Sequence, residues 1–100
     1  MKQTSPEKLF VCLLKMRHDE DAEGIIVTIS EEHGRYMADL WQKGIFWAGG
    51  PSADSTIAIE IYAVDSVEDA IKAQRNAPLY VKGVLYGDKY FEWRPKHLPP

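Results

Sequence analysis

The segment that most constrains the fold spans residues 8–16 and is apolar on both sides when it is placed in a strand. Its alternate residues divide into two sets: Phe10, Cys12, Leu14 and Met16 on one face, and Leu9, Val11 and Leu13 on the other. A strand that is buried on both faces lies centrally in its sheet, between helices and a second covering layer. Any fold of this chain must therefore cover both faces of its first strand.

A helix is predicted to begin after Ser30, a favourable N-cap residue. Six residues that follow it have helical spacing and share one face: His33, Tyr36, Met37, Leu40, Trp41 and Gly44. The charged segment 17–24 is typical of a solvated loop, and the spacing of its acids matches no calcium-binding loop. The chain is therefore expected to pass from its first strand through a loop into this helix.

Two strands, a second helix and a last strand are predicted to follow. The residues 45–49 favour a short strand that ends in a turn at Gly49-Gly50-Pro51, and the alternating residues 56–64 favour a longer strand. Ser66 begins a helix that should end just before Pro78, because proline disfavours helical backbone at Ala77. The residues 84–94 predict the last strand, before a short tail with three prolines.

The predicted order is β-α-β-β-α-β with short connections, in one domain over residues 1–100. It predicts an α+β, ferredoxin-like fold, with an antiparallel sheet and two helices on one face. The other sheet face is apolar and is costly to leave in water. We therefore expect two sheets to meet face to face in a dimeric α+β barrel, as a homodimer or a higher homo-oligomer.

Composition limits the classes of function. Hydrophobic residues make up 45% of the 100 residues and charged residues 27%, which is ordinary for a globular protein. The net charge of -3 and the pI near 5.5 give no electrostatic reason to expect nucleic acid or an anionic membrane as a partner. The single cysteine, Cys12, is predicted to be a buried and inert thiol, and no segment resembles a signal peptide or membrane helix. These features predict a cytoplasmic protein.

His33 is the first candidate for chemistry. Counted from Ser30, it occupies the third helical position on the inward face, where the helix dipole disfavours protonation of an imidazole. A neutral imidazole can accept a proton and later return it, as a general base and acid must. The alternative is a core histidine that is hydrogen-bonded to the backbone.

The order and spacing of several motifs resemble the YCII-related family of small proteins. The motifs are His33-Gly34-Arg35-Tyr36-Met37, Gly44, Gly49-Gly50-Pro51, Ser66, Pro78, Lys82-Gly83-Val84 and Glu92-Trp93-Arg94-Pro95. Ser66-Val67 and Pro78-Leu79-Tyr80 also resemble muconolactone isomerases, which have the same dimeric barrel architecture. The resemblance implies a His-Asp pair in which His33 is the histidine. The aspartate position holds Ala77, a departure that weakens the implied mechanism, so a catalytic pair would need another group in its place.

Glu60 is the first replacement candidate, because it is the lone charge in an apolar strand and shares a face with Tyr62. An exposed charge on an edge strand is the alternative. Asp88 and Asn76 are weaker candidates. The proposed substrate-binding residues are Tyr36, Trp47, Tyr62, Asn76 and Tyr80, although aromatic residues also fill cores and interfaces.

No residue spacing suggests a metal site or a phosphate loop, so no metal or cofactor is expected. The leading hypothesis is an isomerase or lyase in which His33 moves a proton on a small cyclic or aromatic-derived compound in aromatic catabolism. A dehydrohalogenase-like elimination is one of the reactions that this hypothesis includes. One alternative is a cofactor-independent monooxygenase. Another is a small-molecule binding protein without catalytic activity.

Overall fold

A computed structural model describes residues 8–97, without the side chain of Asp88. The site candidate Asp88 therefore lies outside what is described, as do both ends of the predicted domain and the end of the predicted tail. The elements are β1 (Leu9–Met16), α1 (Glu20–Gln42), β2 (Phe46–Pro51), β3 (Ile57–Tyr62), α2 (Val67–Arg75), α3 (Pro78–Val81) and β4 (Leu85–Trp93). The four strands form one antiparallel sheet in the order β2-β3-β1-β4. The predicted ferredoxin-like α+β fold is confirmed.

Helix α1 begins eleven residues earlier than predicted, at Glu20 rather than after Ser30. Asp19 is its N-cap, and the Asp19 side chain accepts a hydrogen bond from the Ala22 N–H at 2.9 Å. Acidic residues in the first turn complement the positive end of the helix dipole. The predicted cap at Ser30 and the predicted loop over 17–24 are therefore wrong. Ser30 lies inside the helix, and the connection between β1 and α1 consists of Arg17, His18 and Asp19. Within residues 8–97, no helix combines the length and apolarity needed to cross a bilayer.

The predicted turn at Gly49-Gly50-Pro51 is also wrong, because these residues belong to β2 and pair with β3. A Cβ added to Gly49 would lie 2.7 Å from the Ile59 carbonyl oxygen, so the close approach of the strands requires glycine there. The chain reverses instead over residues 52–55, where Asp54 accepts hydrogen bonds from neighbouring groups.

The second helical region is confirmed, and it contains one element that was not predicted. The Ser66 hydroxyl caps α2 by accepting from the Asp69 N–H at 3.1 Å. Ala77 is extended, as expected before proline, and Pro78 then occupies the first turn of the short helix α3. Helix α3 packs against α1 and thereby brings Leu79 to His33.

The helices cover the sheet face that carries Cys12, which we call the inner face. The core on this face consists of Phe10, Cys12, Leu14, Leu40, Ala58, Tyr62, Ala70 and Leu85. Cys12 is fully buried, as predicted, and burial together with the charge of Glu60 raises the pKa of its thiol to about 12. The thiol is therefore protonated and unreactive at neutral pH.

The opposite sheet face, here the outer face, is covered by none of the helices described within residues 8–97 and is still strongly apolar. Leu9 and Val11 are only 4% and 8% exposed on it. Trp47 of β2 and Trp93 of β4 pack edge to face, with ring centroids 6.4 Å apart, although they belong to the two edge strands. Ile59 and Phe91 pair with Leu13 and Val11, and they are 40% and 44% exposed.

We predict that the outer face is the contact between two copies of the chain. Ile59→Glu is expected to weaken the dimer at least 30-fold, because an unpaired charge in an interface costs roughly 2–5 kcal/mol. Val27→Glu is the matched control, since Val27 is exposed on α1 and lies away from the sheet. Light scattering against concentration measures both variants. A wild-type monomer at micromolar concentration would contradict the prediction.

Candidate functional site

Glu60 is the most unusual side chain in the described structure. It lies in β3 on the inner face and is only 5% exposed. The Tyr62 hydroxyl donates to Glu60 Oε1 at 2.7 Å, and none of the ion pairs described for residues 8–97 includes Glu60. Burial raises the pKa of Glu60, and the Tyr62 hydrogen bond opposes this in part. A buried carboxylate without a neighbouring cation lowers the stability of the fold by roughly several kcal/mol. A group that is kept at such a cost is a candidate for a functional role.

Two tyrosines accompany this carboxyl. Tyr62 is fully buried, and burial and the nearby Glu60 raise its pKa far above the usual range. Tyr36 of α1 donates from its hydroxyl to the Ala73 carbonyl oxygen of α2 at 2.6 Å and so ties the two helices together. Burial and then the charge of Glu60 raise the pKa of Tyr36, which shows that Tyr36 is within electrostatic reach of the carboxyl.

His33 lies near the middle of α1, so the predicted position in a first helical turn is wrong. The helix dipole therefore does not explain its protonation state, because that effect is confined to the terminal turn. The pKa of His33 is nevertheless lowered, and the cause is the partial burial of its ring.

The hydrogen bond that His33 makes determines its neutral tautomer. The Leu79 N–H donates to His33 Nδ1 at 3.3 Å, so Nδ1 carries no proton and Nε2 carries it. Ala77, at the N-cap of α3, has no side chain that could accept this N–H. His33 therefore serves as the missing cap of α3, and its Nε2 is left as a hydrogen-bond donor.

An open groove of about 490 Å³ lies above Tyr36, between α1 and α2. Its lining is formed by Tyr36, Ile45, Ala63, Val64, Asp65, Asp69, Lys72, Ala73 and Asn76. Two of the predicted substrate-binding residues, Tyr36 and Asn76, are among these. His33 and Glu60 do not line the groove. Asn76 donates to the Lys72 carbonyl oxygen at 2.9 Å and does not serve as a partner of His33.

The other predicted site residues are divided between the two sheet faces. Tyr62 accompanies Glu60 on the inner face. Trp47 lies on the outer face against Trp93, so it cannot share a site with Glu60 within one chain. Tyr80 lies on α3, where the guanidinium of Arg75 is 5.8 Å from its ring centroid. Among residues 8–97, no group of three or more potential ligands is arranged to hold a metal ion.

Sequence reasoning did not single out Gln74 and Tyr90 as a pair. Gln74 of α2 is fully buried, and its Oε1 accepts from the Tyr90 hydroxyl at 2.8 Å. Gln74 Nε2 has no hydrogen-bond partner among the described residues. An unpaired buried donor of this kind costs about 1–3 kcal/mol. The sequence feature that could have identified Gln74 is its polar amide on the apolar face of the predicted helix.

The fold and the buried carboxyl define a ferredoxin-like α+β protein with an interior acidic group. No protein-family model matches the chain, and no curated protein matches it in sequence. Among solved structures, the chain is similar to 5-chloro-2-hydroxyhydroquinone dehydrochlorinase (TftG) of Burkholderia phenoliruptrix AC1100 in complex with 2,5-dihydroxybenzoquinone. The TM-score is 0.62 and the identity 19%, over 89% of this chain and 94% of that one. This likeness establishes the fold, whereas membership in the YCII-related family stays a prediction.

Proposed function

We propose that this protein catalyses proton transfer on a small cyclic or aromatic-derived compound, as an isomerase or lyase. Loss of halide from a chlorinated hydroxyhydroquinone is the leading reaction. The observation that carries the proposal is the Glu60 carboxyl, which is buried, belongs to no ion pair among residues 8–97 and has a raised pKa. The fold shared with a dehydrochlorinase supports the choice of substrate class.

In this proposal Glu60 is the general base. A carboxylate with a raised pKa is a stronger base, and proton transfer is most efficient when that pKa is near the working pH. Tyr62 is a positioning residue, since its hydroxyl holds Oε1. His33 contributes as a donor, because its protonated Nε2 can hydrogen-bond an oxygen of the substrate.

Elimination of HCl balances without an external oxidant. The ketone tautomer of the chlorinated hydroquinone gives a proton to Glu60, the C–Cl bond breaks, and chloride leaves with the bonding electrons. A new double bond forms and the ring becomes a hydroxyquinone. Glu60 then passes its proton to water. The same first step followed by reprotonation at another carbon would be an isomerisation.

Access to the carboxyl is assigned to the groove above Tyr36. Glu60 is nearly fully covered, and Tyr36 both lines the groove and is within electrostatic reach of the carboxyl. Rotation of Tyr36 would break its hydrogen bond to the Ala73 carbonyl oxygen and open a path inward. Such a motion of a single side chain is fast compared with a typical turnover.

The proposal is tested with 5-chloro-2-hydroxyhydroquinone under anaerobic conditions, by measuring chloride release with wild type and Glu60→Gln. A parallel assay follows deuterium exchange from solvent into hydroxyquinones and unsaturated lactones by NMR. We expect chloride release or exchange that depends on Glu60. Absence of both with folded wild-type protein would overturn the catalytic proposal.

The second candidate function is small-molecule binding without turnover. It is favoured by Ala77, which leaves His33 without the acidic partner that the resemblance implies, and by the use of His33 Nδ1 as a cap. Calorimetry with 2,5-dihydroxybenzoquinone distinguishes the two candidates. Binding with no chloride release and no deuterium exchange would favour the binding protein.

A further inference from the structure

Helix α2 buries an amide whose hydrogen-bonding capacity is half used. Gln74 is fully buried on the side of α2 that faces β1 and β4. Its Oε1 is occupied by Tyr90, while its Nε2 has no acceptor among residues 8–97. A buried donor is normally paired, so this amide group is a candidate for binding an oxygen that the chain itself does not supply.

The orientation of the amide follows from its neighbours. The Arg75 guanidinium lies 5.4 Å from the Tyr90 ring centroid, and its interaction with the Tyr90 hydroxyl raises the pKa of Arg75. The Tyr90 hydroxyl donates to Gln74 Oε1 at 2.8 Å, and a cation beside the ring favours this direction because it repels the hydroxyl hydrogen. The NH₂ end of the amide must then point away from Tyr90. The chain from Arg75 through Tyr90 to Gln74 also polarises the amide and strengthens its NH₂ as a donor.

The strand register relates this donor to the proposed base. Glu60, Cys12 and Tyr90 are direct cross-strand neighbours in β3, β1 and β4, and they lie in one row on the inner face. Neighbouring strands are about 4.8 Å apart, so the backbones at Glu60 and Tyr90 are about 10 Å apart. In this row the small Cys12 side chain lies between them. The Glu60 carboxyl, a proton acceptor, thus lies at one end of this row, and the Gln74 amide, a donor, is bonded to Tyr90 at the other end.

We propose that Gln74 Nε2 binds the anionic oxygen of an ionised phenol or enol, the species that forms when Glu60 removes a proton from the substrate. This assignment rests on the proposed function. Gln74 would be a catalytic residue, because it touches the substrate oxygen. Tyr90 would be a positioning residue that fixes the amide. Donors held in place at a developing oxyanion are among the largest contributions to catalysis.

The test is equilibrium binding of 4-nitrophenol, measured at one pH above and one pH below the ionisation of the probe, with nitrobenzene as the neutral control. Gln74→Met keeps the length of the side chain and removes the donor. We expect it to weaken phenolate binding about 10- to 100-fold, the usual contribution of a hydrogen bond to a charged group. Binding of nitrobenzene should stay unchanged. Tyr90→Phe should weaken phenolate binding less, because it frees the amide without removing it.

The double variant Gln74→Met/Tyr90→Phe covers the case in which Gln74→Met fails to fold, since it removes both polar partners together. Phenolate binding by Gln74→Met that equals wild type would overturn the assignment, as would a wild type that binds no phenolate. The assay requires no turnover. If wild type shows neither chloride release nor deuterium exchange but its phenolate binding depends on Gln74, the proposed reaction fails and the anion site stands.

Discussion

Replacing Glu60 with glutamine is expected to lower kcat for the proposed proton transfer by about 10²- to 10⁴-fold, the usual contribution of a general base. Glutamine keeps the shape of the side chain and an oxygen that can still accept from Tyr62. It removes the charge and the basicity. The fold should therefore persist, and single-turnover kinetics with folded protein measures the loss.

The same substitution should increase stability at neutral pH. The pKa of Glu60 is raised by burial, so the folded state binds this proton more tightly than the unfolded chain does. The contribution of Glu60 to stability is thus present below its unfolded pKa of about 4.3, and it is lost as the pH rises through the higher folded value. Wild type should be less stable than Glu60→Gln at pH 7, and this difference should shrink as the solution is acidified.

Glu68→Gln is the matched control, because Glu68 is an exposed acid on α2. It should leave kcat unchanged. Denaturant unfolding between pH 4 and pH 8 gives the comparison for all three proteins. Full kcat in Glu60→Gln would rule out the carboxyl as the base, and an unchanged stability difference across this pH range would show that the group is not desolvated.

The order of the elements was predictable because it depends on local signals that the fold does not override. The two-sided apolar pattern of β1, the alternation in β3 and the Ser66 cap each correspond to the structure. The start of α1 was missed for a physical reason. Gly24 and the β-branched residues after it have weak helix propensity, yet the Asp19 cap and the buried residues Ala22 and Ile29 make the helix continuous.

The candidate site was predictable only in part. Burial of Glu60 beside Tyr62 follows from strand alternation, because both lie on the face that the helices cover. The bond between Leu79 and His33 joins residues 46 positions apart and depends on α3, an element too short for a periodic signal. The position of Trp47 on the outer face likewise depends on the irregularity in the pairing of β2 with β3 between Phe46 and Ala48.

Substitutions at His33 are expected to separate its two roles. Asparagine places a carbonyl oxygen near the position of Nδ1, so His33→Asn should keep the cap on Leu79 and lose the Nε2 donor. Glutamine places its amide near Nε2, so His33→Gln should retain part of the donor function and lose the cap. Loss of a helix cap costs about 0.5–2 kcal/mol, whereas loss of a catalytic donor lowers kcat by about 10²- to 10³-fold.

The acid dependence of stability provides the independent control. Burial lowers the pKa of His33 in the folded state, so its contribution to stability is present above the unfolded value of about 6.5 and is lost as the pH falls through the folded value. Protonation at Nδ1 also removes the acceptor for the Leu79 N–H. The free energy of unfolding of wild type should therefore fall more on acidification than that of His33→Asn, which has no imidazole to protonate. If His33→Asn keeps both the melting temperature and the full kcat, His33 is only the cap of α3. If it keeps the melting temperature and loses kcat, Nε2 is the group that acts on the substrate.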